Sequence, residues 1–196
     1  MTHASRLTVL LGAIAAAIAP LADAHVGVGE TTGFLSGFAH PSGGLDHILA
    51  MIAVGLWAGQ RGGRARWMIP VAFVAIMILG GVMGAMGVAL PYVEQGIALS
   101  VLVLGALVAA AVTWPLPASM LLVGVFALFH GHAHGAEMPV SVSGIEYGAG
   151  FVLATAILHA SGVGAAIVSR NLHRSVLLRL SGTAIAASGV VLLLAA

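Results

Sequence analysis

The chain is 196 residues long, 60% hydrophobic and only 7% charged, with a net charge of +1 and no lysine. A soluble domain carries about 25% charged residues, so this composition, with a mean hydropathy of +1.11, excludes a water-covered globule and places the chain in a lipid bilayer. The near-neutral balance argues against nucleic acid as a partner, and the lack of cysteine excludes disulfides, thiolate metal sites, iron–sulfur clusters and cysteine nucleophiles.

The N-terminus reads as a secretory signal. Arg6 is a short basic region, Leu7 to Ala19 is apolar, Pro20 breaks the run, and Ala22-Asp23-Ala24 supplies the small-x-small cleavage pattern. Cleavage after Ala24 makes residues 1–24 a signal peptide and leaves His25 as the new N-terminus, where amine and imidazole together can take a metal. The alternative is an uncleaved first helix with an incidental histidine.

Six apolar stretches follow, each near the ~20 residues that a spanning helix needs: Gly33–Gly59, Trp67–Leu90, Gln95–Thr113, Ala118–His134, Ile145–Val168 and Val176–Ala195. The breaks carry turn or charge signals, among them Arg61-Gly62-Gly63-Arg64-Ala65-Arg66 and Trp114-Pro115-Leu116-Pro117. The expected fold is all-α: a polytopic membrane bundle of six transmembrane helices over residues 25–196. With the mature N-terminus outside, Arg61, Arg64, Arg66, Arg170, Arg174 and Arg179 all fall on the cytoplasmic side, as the positive-inside rule asks. Glu30, Glu94, Glu137 and Glu146 then fall on the outer side. Gly80-x-x-x-Gly84 in the second span is a close-packing motif, not a phosphate loop.

Nine histidines against six acidic residues is the unusual feature of the composition. One cluster is His40-Pro41-Ser42-Gly43-Gly44-Leu45-Asp46-His47 in the first span. His40 and His47 share a face if the helix is continuous, but Pro41 and the paired glycines are able to open it. A second cluster, Phe129-His130-Gly131-His132-Ala133-His134-Gly135-Ala136-Glu137, ends the fourth span. His130 and His134 stand at i and i+4, so their rings lie on one face and suit a shared metal, whereas His132 points roughly 160–200° away. Glu137 stands at the mouth. His159, in the fifth span, is the deepest histidine by placement. A lone histidine in a span is often only a helix–helix hydrogen-bonder. A buried carboxylate such as Asp46 costs roughly 2.5–3.5 kcal/mol on insertion scales and asks for a partner or a role. Imidazole and carboxylate donors without thiolate point to nickel or cobalt, then zinc.

On these two motifs the chain resembles the HupE/UreJ family of nickel permeases. The family pattern H-P-x-x-G-x-D-H stands here as His40 to His47, and F-H-G-x-A-H-G-x-E as Phe129 to Glu137. The resemblance covers the whole length. It implies Ni²⁺ uptake for hydrogenase or urease assembly, with His40, Asp46, His47, His130, His134 and Glu137 as functional positions. Three spans per half would also invert the second half relative to the first, so a 3+3 inverted repeat with its site at the pseudo-twofold interface is an expectation.

The reading is therefore transport and not catalysis: a metal path into the bacterial cytoplasm lined by His25, His40, Asp46, His47, His130, His134, Glu137 and His159. No resident cofactor is expected, the ion being cargo. The partners are Ni²⁺, the bilayer and cytoplasmic nickel chaperones that receive the metal; the sequence leaves the oligomeric state open. The rivals are a cobalt or zinc permease, an intramembrane metal-dependent hydrolase with Asp46 as base, and a metal sensor without flux. Protonation of imidazole near pH 6–7 competes with metal binding. Uptake is predicted to fall as pH drops from about 8 to about 5; a flat profile over that range would count against histidine ligation.

Overall fold

The computed structural model describes residues 33–139 and 141–196. The predicted signal peptide and the predicted ligand His25 lie outside the described residues. The chain is helical: α1 (Gly33–Ala39), a 3-10 turn (His40–Gly43), α2 (Leu45–Arg61), α3 (Ala65–Ala85), α4 (Val93–Ala110), α5 (Leu116–Ala136), α6 (Gly144–Asn171) and α7 (Ser175–Ala195). No strand occurs among the described residues. Five helices, α3 to α7, are long and apolar enough to cross a membrane, and α1 with α2 passes the same test as a bent pair, which makes six if the pair is one broken span. This is the all-α membrane bundle that the sequence leads one to expect.

The first span differs from a continuous Gly33–Gly59 helix. It turns by 87° between the 3-10 segment and α2. Pro41 sits at the start of the 3-10 turn and Gly44 is extended (φ −120°, ψ 121°). A proline withholds a backbone donor from the helical ladder, and the extended glycine then re-aims the chain. The fifth span, α6, runs on to Asn171, past the predicted Val168, so much of the expected fifth loop is helix.

Side-chain bonds define two ends of the bundle. At one end the arginines meet the carbonyl ends of helices. Arg170 Nη1 donates to Gly59 O (3.4 Å) and Arg179 Nε to Ala109 O (2.9 Å). Arg61 donates to Ser119 Oγ and lies 5.7 Å from the Trp57 ring centre. Cations are favoured there because helix C-termini carry partial negative charge. At the other end lie Glu94, Glu137 and Glu146, near the starts of α4 and α6 and the end of α5.

Lipid supplies no hydrophobic drive between helices, so close packing of small residues must hold them. Here the spans meet in three intimate pairs. The broken first span packs on α6, α3 on α5, and α4 on α7. Glycine permits each contact. A Cβ at Gly37 would strike the Tyr147 carbonyl, one at Gly131 the Met77 carbonyl, and one at Gly182 the backbone of Ala109. The Gly80-x-x-x-Gly84 motif serves as its spacing predicts: both residues press against the α5 backbone, at Leu128 and His132. Trp57, Phe73, Met51 and Ile69 fill the centre and are fully buried. Leu121, Val176, Leu180 and Val191 point outward, as lipid-facing residues do.

Gly131→Ala should destabilise the bundle by about 1–3 kcal/mol, because the added methyl forces the α3 and α5 backbones apart. Gly164→Ala, where nothing lies within 4 Å of the added carbon, should be neutral or slightly stabilising. Thermal unfolding of both variants in detergent checks this; equal melting temperatures would show that the backbone contact is not what holds the pair.

Candidate metal site

The two histidine motifs meet at the carboxylate end. Their glycines explain how. Gly131 and Gly135 form one face of α5 and lie against the backbones of Met77 and Gly81 in α3. His130 and His134, one position earlier in each turn, therefore face a different way, toward α2. Phe129 of the same motif fits over Gly96 of α4, where a Cβ would overlap its ring. In the first motif, Gly44 leaves room for Asp46 to fold back over the start of α2; a Cβ there would collide with Asp46 Oδ1.

Asp46 accepts two hydrogen bonds at one oxygen. The His47 amide donates at 2.7 Å and His47 Nδ1 donates at 2.8 Å. The amide bond satisfies one of the free N–H groups of the first turn of α2. The ring bond fixes the tautomer: with the proton on Nδ1, His47 Nε2 carries the lone pair. A carboxylate behind a histidine is the usual way to orient such a ligand and raise its basicity. His47 Nε2 is buried and has no hydrogen-bond partner among the described residues.

The rings of His40, His134, His47 and His130 form a file. His40 and His134 have ring centres 4.6 Å apart, His134 and His47 4.1 Å, and His47 and His130 4.7 Å, with planes crossed by 62° to 88°. His134 is 5% exposed, and neither of its ring nitrogens has a partner among the described residues. His130 is fully buried, with Nδ1 unpartnered. An unpaired buried polar atom costs free energy, so several in one place mark a site made for something else.

Nearer the mouth, His40 Nε2 lies 3.1 Å from Glu137 Oε2. Ligand atoms of His40, His134 and Glu137 all fall within 4.8 Å of one another, close enough for one cation. A cavity of about 540 Å³ opens over this group and is lined by His40, Asp46, His47, Glu94, His134 and Glu137. Glu94, read from the sequence only as a marker of topology, reaches this lining from the start of α4. Its signal is position, an acidic residue opening a span on the same side as Glu137.

The predicted residues thus divide. His40, Asp46, His47, His130, His134 and Glu137 are brought together. His159 stands apart, beyond Phe73. The Phe73 ring lies 5.8 Å from the His130 ring and 5.1 Å from that of His159, so it contacts both. Both His159 nitrogens are buried and unpartnered among the described residues. His132 points out of the cluster, as helical geometry requires, and donates from Nε2 to Val88 O at 2.6 Å. Like Glu94, the residues Phe73, Ser100 and Tyr147 lie outside both motifs. Phe73 contacts two histidines, Ser100 bonds His130 at 2.8 Å, and Tyr147 stands over His40 at 5.6 Å. A lone serine in an apolar span is the faint clue to the second of these.

Residues 13–192 match the family model described as HupE / UreJ protein. The chain is 48% identical over 189 residues to Protein HupE of Rhizobium leguminosarum bv. viciae, an alignment that covers 96% of this chain and 97% of that protein. No solved structure matches the chain. A family match over so much of the length, on top of two complete motifs that converge in space, establishes kinship: this protein belongs to the HupE/UreJ family.

Proposed function

We propose that the chain carries Ni²⁺ across the bacterial inner membrane, from periplasm to cytoplasm, for the assembly of hydrogenase or urease, with Co²⁺ as the next best cargo. One observation carries the reading. The rings of His47 on α2 and of His130 and His134 on α5, two separate spans, stand with neighbouring centres 4.1 and 4.7 Å apart, and His47 Nε2, His130 Nδ1 and both His134 nitrogens are buried without a hydrogen-bond partner among the described residues. Neutral imidazoles with oxygen donors beside them match a borderline divalent ion, and thiolates, which would favour softer metals, are lacking from the sequence.

The order of groups gives a route. Glu94 and Glu137 attract the cation to the mouth. His40, His134 and Glu137 take it first, and His134 then shares it with His47 and His130, while Asp46 orients His47. His159 receives it past Phe73, on the way to the arginine end, where a cytoplasmic nickel chaperone collects it. Transit demands binding strong enough to strip water and weak enough to let go. Neutral rings in the interior with the carboxylates confined to the mouth meet both demands better than an anionic cage. His25, the N-terminal residue that the proposed signal cleavage would free, lies outside the described residues.

The orientation rests on the arginines. Their collection at one end supports a cytoplasmic position for that end and a periplasmic mature N-terminus. The helix pairing supports a 3+3 inverted repeat. Exchanging spans one, two and three for four, five and six converts the first-with-fifth pair into the fourth-with-second pair, and leaves third-with-sixth unchanged. These are the three intimate pairs described above.

Radiolabelled Ni²⁺ uptake into cells and into sealed vesicles tests the reading. Asp46→Ala and His130→Ala should each lower uptake by about tenfold or more, the usual effect of removing a ligand or its orienting partner. His132→Gln, which keeps a donor for Val88 O, should retain most of it. Undiminished transport by His130→Ala, or metal-dependent turnover of a substrate without flux, would defeat the proposal.

A further inference from the structure

Ser100 belongs to neither motif, yet it is fully buried and touches the site. It lies on the same face of α4 as Gly96, one turn further along. Gly96 seats Phe129, so Ser100 is brought against the next residue of α5, His130. Its Oγ is 2.6 Å from Ile97 O and 2.8 Å from His130 Nε2.

These two distances fix the positions of the protons. A serine hydroxyl has one proton to give, and a carbonyl oxygen can only accept. The contact with Ile97 O therefore uses the hydroxyl proton; without it, two oxygens would face each other at 2.6 Å with nothing between them. The second bond must then run the other way, with His130 Nε2–H donating to Ser100 Oγ. A neutral imidazole carries a single N–H, so the lone pair of His130 resides on Nδ1. That atom is the one left buried and unpartnered, on a ring whose centre is 4.7 Å from the centre of His47.

We propose that Ser100 is a positioning residue for the metal: it holds His130 in the Nε2–H tautomer and thereby presents the Nδ1 lone pair to the ion. The inference rests on the reading of His130 as a ligand and adds a residue to it. Ser100 is to His130 what Asp46 is to His47, with the tautomers reversed. Asp46 claims Nδ1 and frees Nε2, and Ser100 claims Nε2 and frees Nδ1. Two rings from different spans, with centres 4.7 Å apart, thus keep unlike nitrogens unpaired among the described residues. Without the hydroxyl, nothing holds the His130 proton on Nε2, and the ring loses its one hydrogen bond among the described residues.

The test uses the full-length chain in lipid nanodiscs with ¹⁵N-labelled histidine. In the metal-free wild type, the ring signals lost on His130→Gln should report a proton on Nε2; in Ser100→Ala the same ring should show both tautomers. Ni²⁺ titration should give a dissociation constant raised roughly 10–100-fold in Ser100→Ala, the usual effect of losing a ligand's hydrogen-bond partner. A wild-type His130 with its proton on Nδ1 overturns the proposal however the variant behaves. Unchanged Ni²⁺ affinity in Ser100→Ala beside weakened binding in His130→Ala also overturns it and leaves the metal site standing. Unchanged affinity in both variants removes His130 as a ligand, and the role of Ser100 with it.

Discussion

Backbone-to-backbone contact between spans is the constraint on which the rest of this structure depends. With hydrocarbon on both sides, a helix gains little by hiding apolar side chains, and association has to come from close approach. Gly131 and Gly135 bring α5 against α3, and Gly37, Gly55 and Gly150 bring the broken first span against α6. Once those interfaces are seated, the direction of every ring in the cluster follows. The glycines of the second motif occupy one face of α5 and the histidines the adjacent one, so the same contact that closes the bundle aims His130 and His134 at α2. Packing and ligand geometry are one requirement, which explains why glycine and histidine alternate so tightly in that segment.

A second requirement is the disposal of polar atoms. Each histidine near the site gives up a nitrogen to a neighbour or keeps both. His47 gives Nδ1 to Asp46, His130 gives Nε2 to Ser100, and His132 gives Nε2 to Val88 O. His134 and His159 give none among the described residues. The first two are thereby set in angle and tautomer, while His134, between His40 and His47, is free to offer either nitrogen. On the proposed transport reading, fixed rings on one side and an adaptable ring in the middle suit an ion that must be handed on and not kept.

Much of this was legible in the sequence, for identifiable reasons. Membrane residence follows from scarce charge, the two ends of the bundle from the arginines, and the α3–α5 contact from glycines four residues apart. All of these are local or additive signals. The meeting of the two motifs was legible because each carries its ligands at fixed spacing and because the chain resembles a known family. What escaped depends on partners distant in the chain. Ser100 matters only because Gly96 admits Phe129, Phe73 only because α3 brings its ring against both His130 and His159, and Tyr147 only because Gly37 lets α1 ride on α6. The sharp bend at Gly44 was half visible: Pro41 and the paired glycines announce a break, but not its angle, which is set by what α1 lies against. The proposed signal peptide and His25 fall outside the described residues.

That bend also bears on the electrical work of moving a doubly charged ion. Because α2 begins only after the turn, its 17 residues rise about 25 Å at 1.5 Å each, short of the ~30 Å of a bilayer interior. The cavity above it is polar and roomy enough to be wet. Conducting water reaching down to His47 compresses the membrane voltage into the layer beneath. At about 2.3 kcal/mol per charge for each 100 mV, a divalent ion on the proposed inward route would meet most of its downhill slope in the stretch past Phe73.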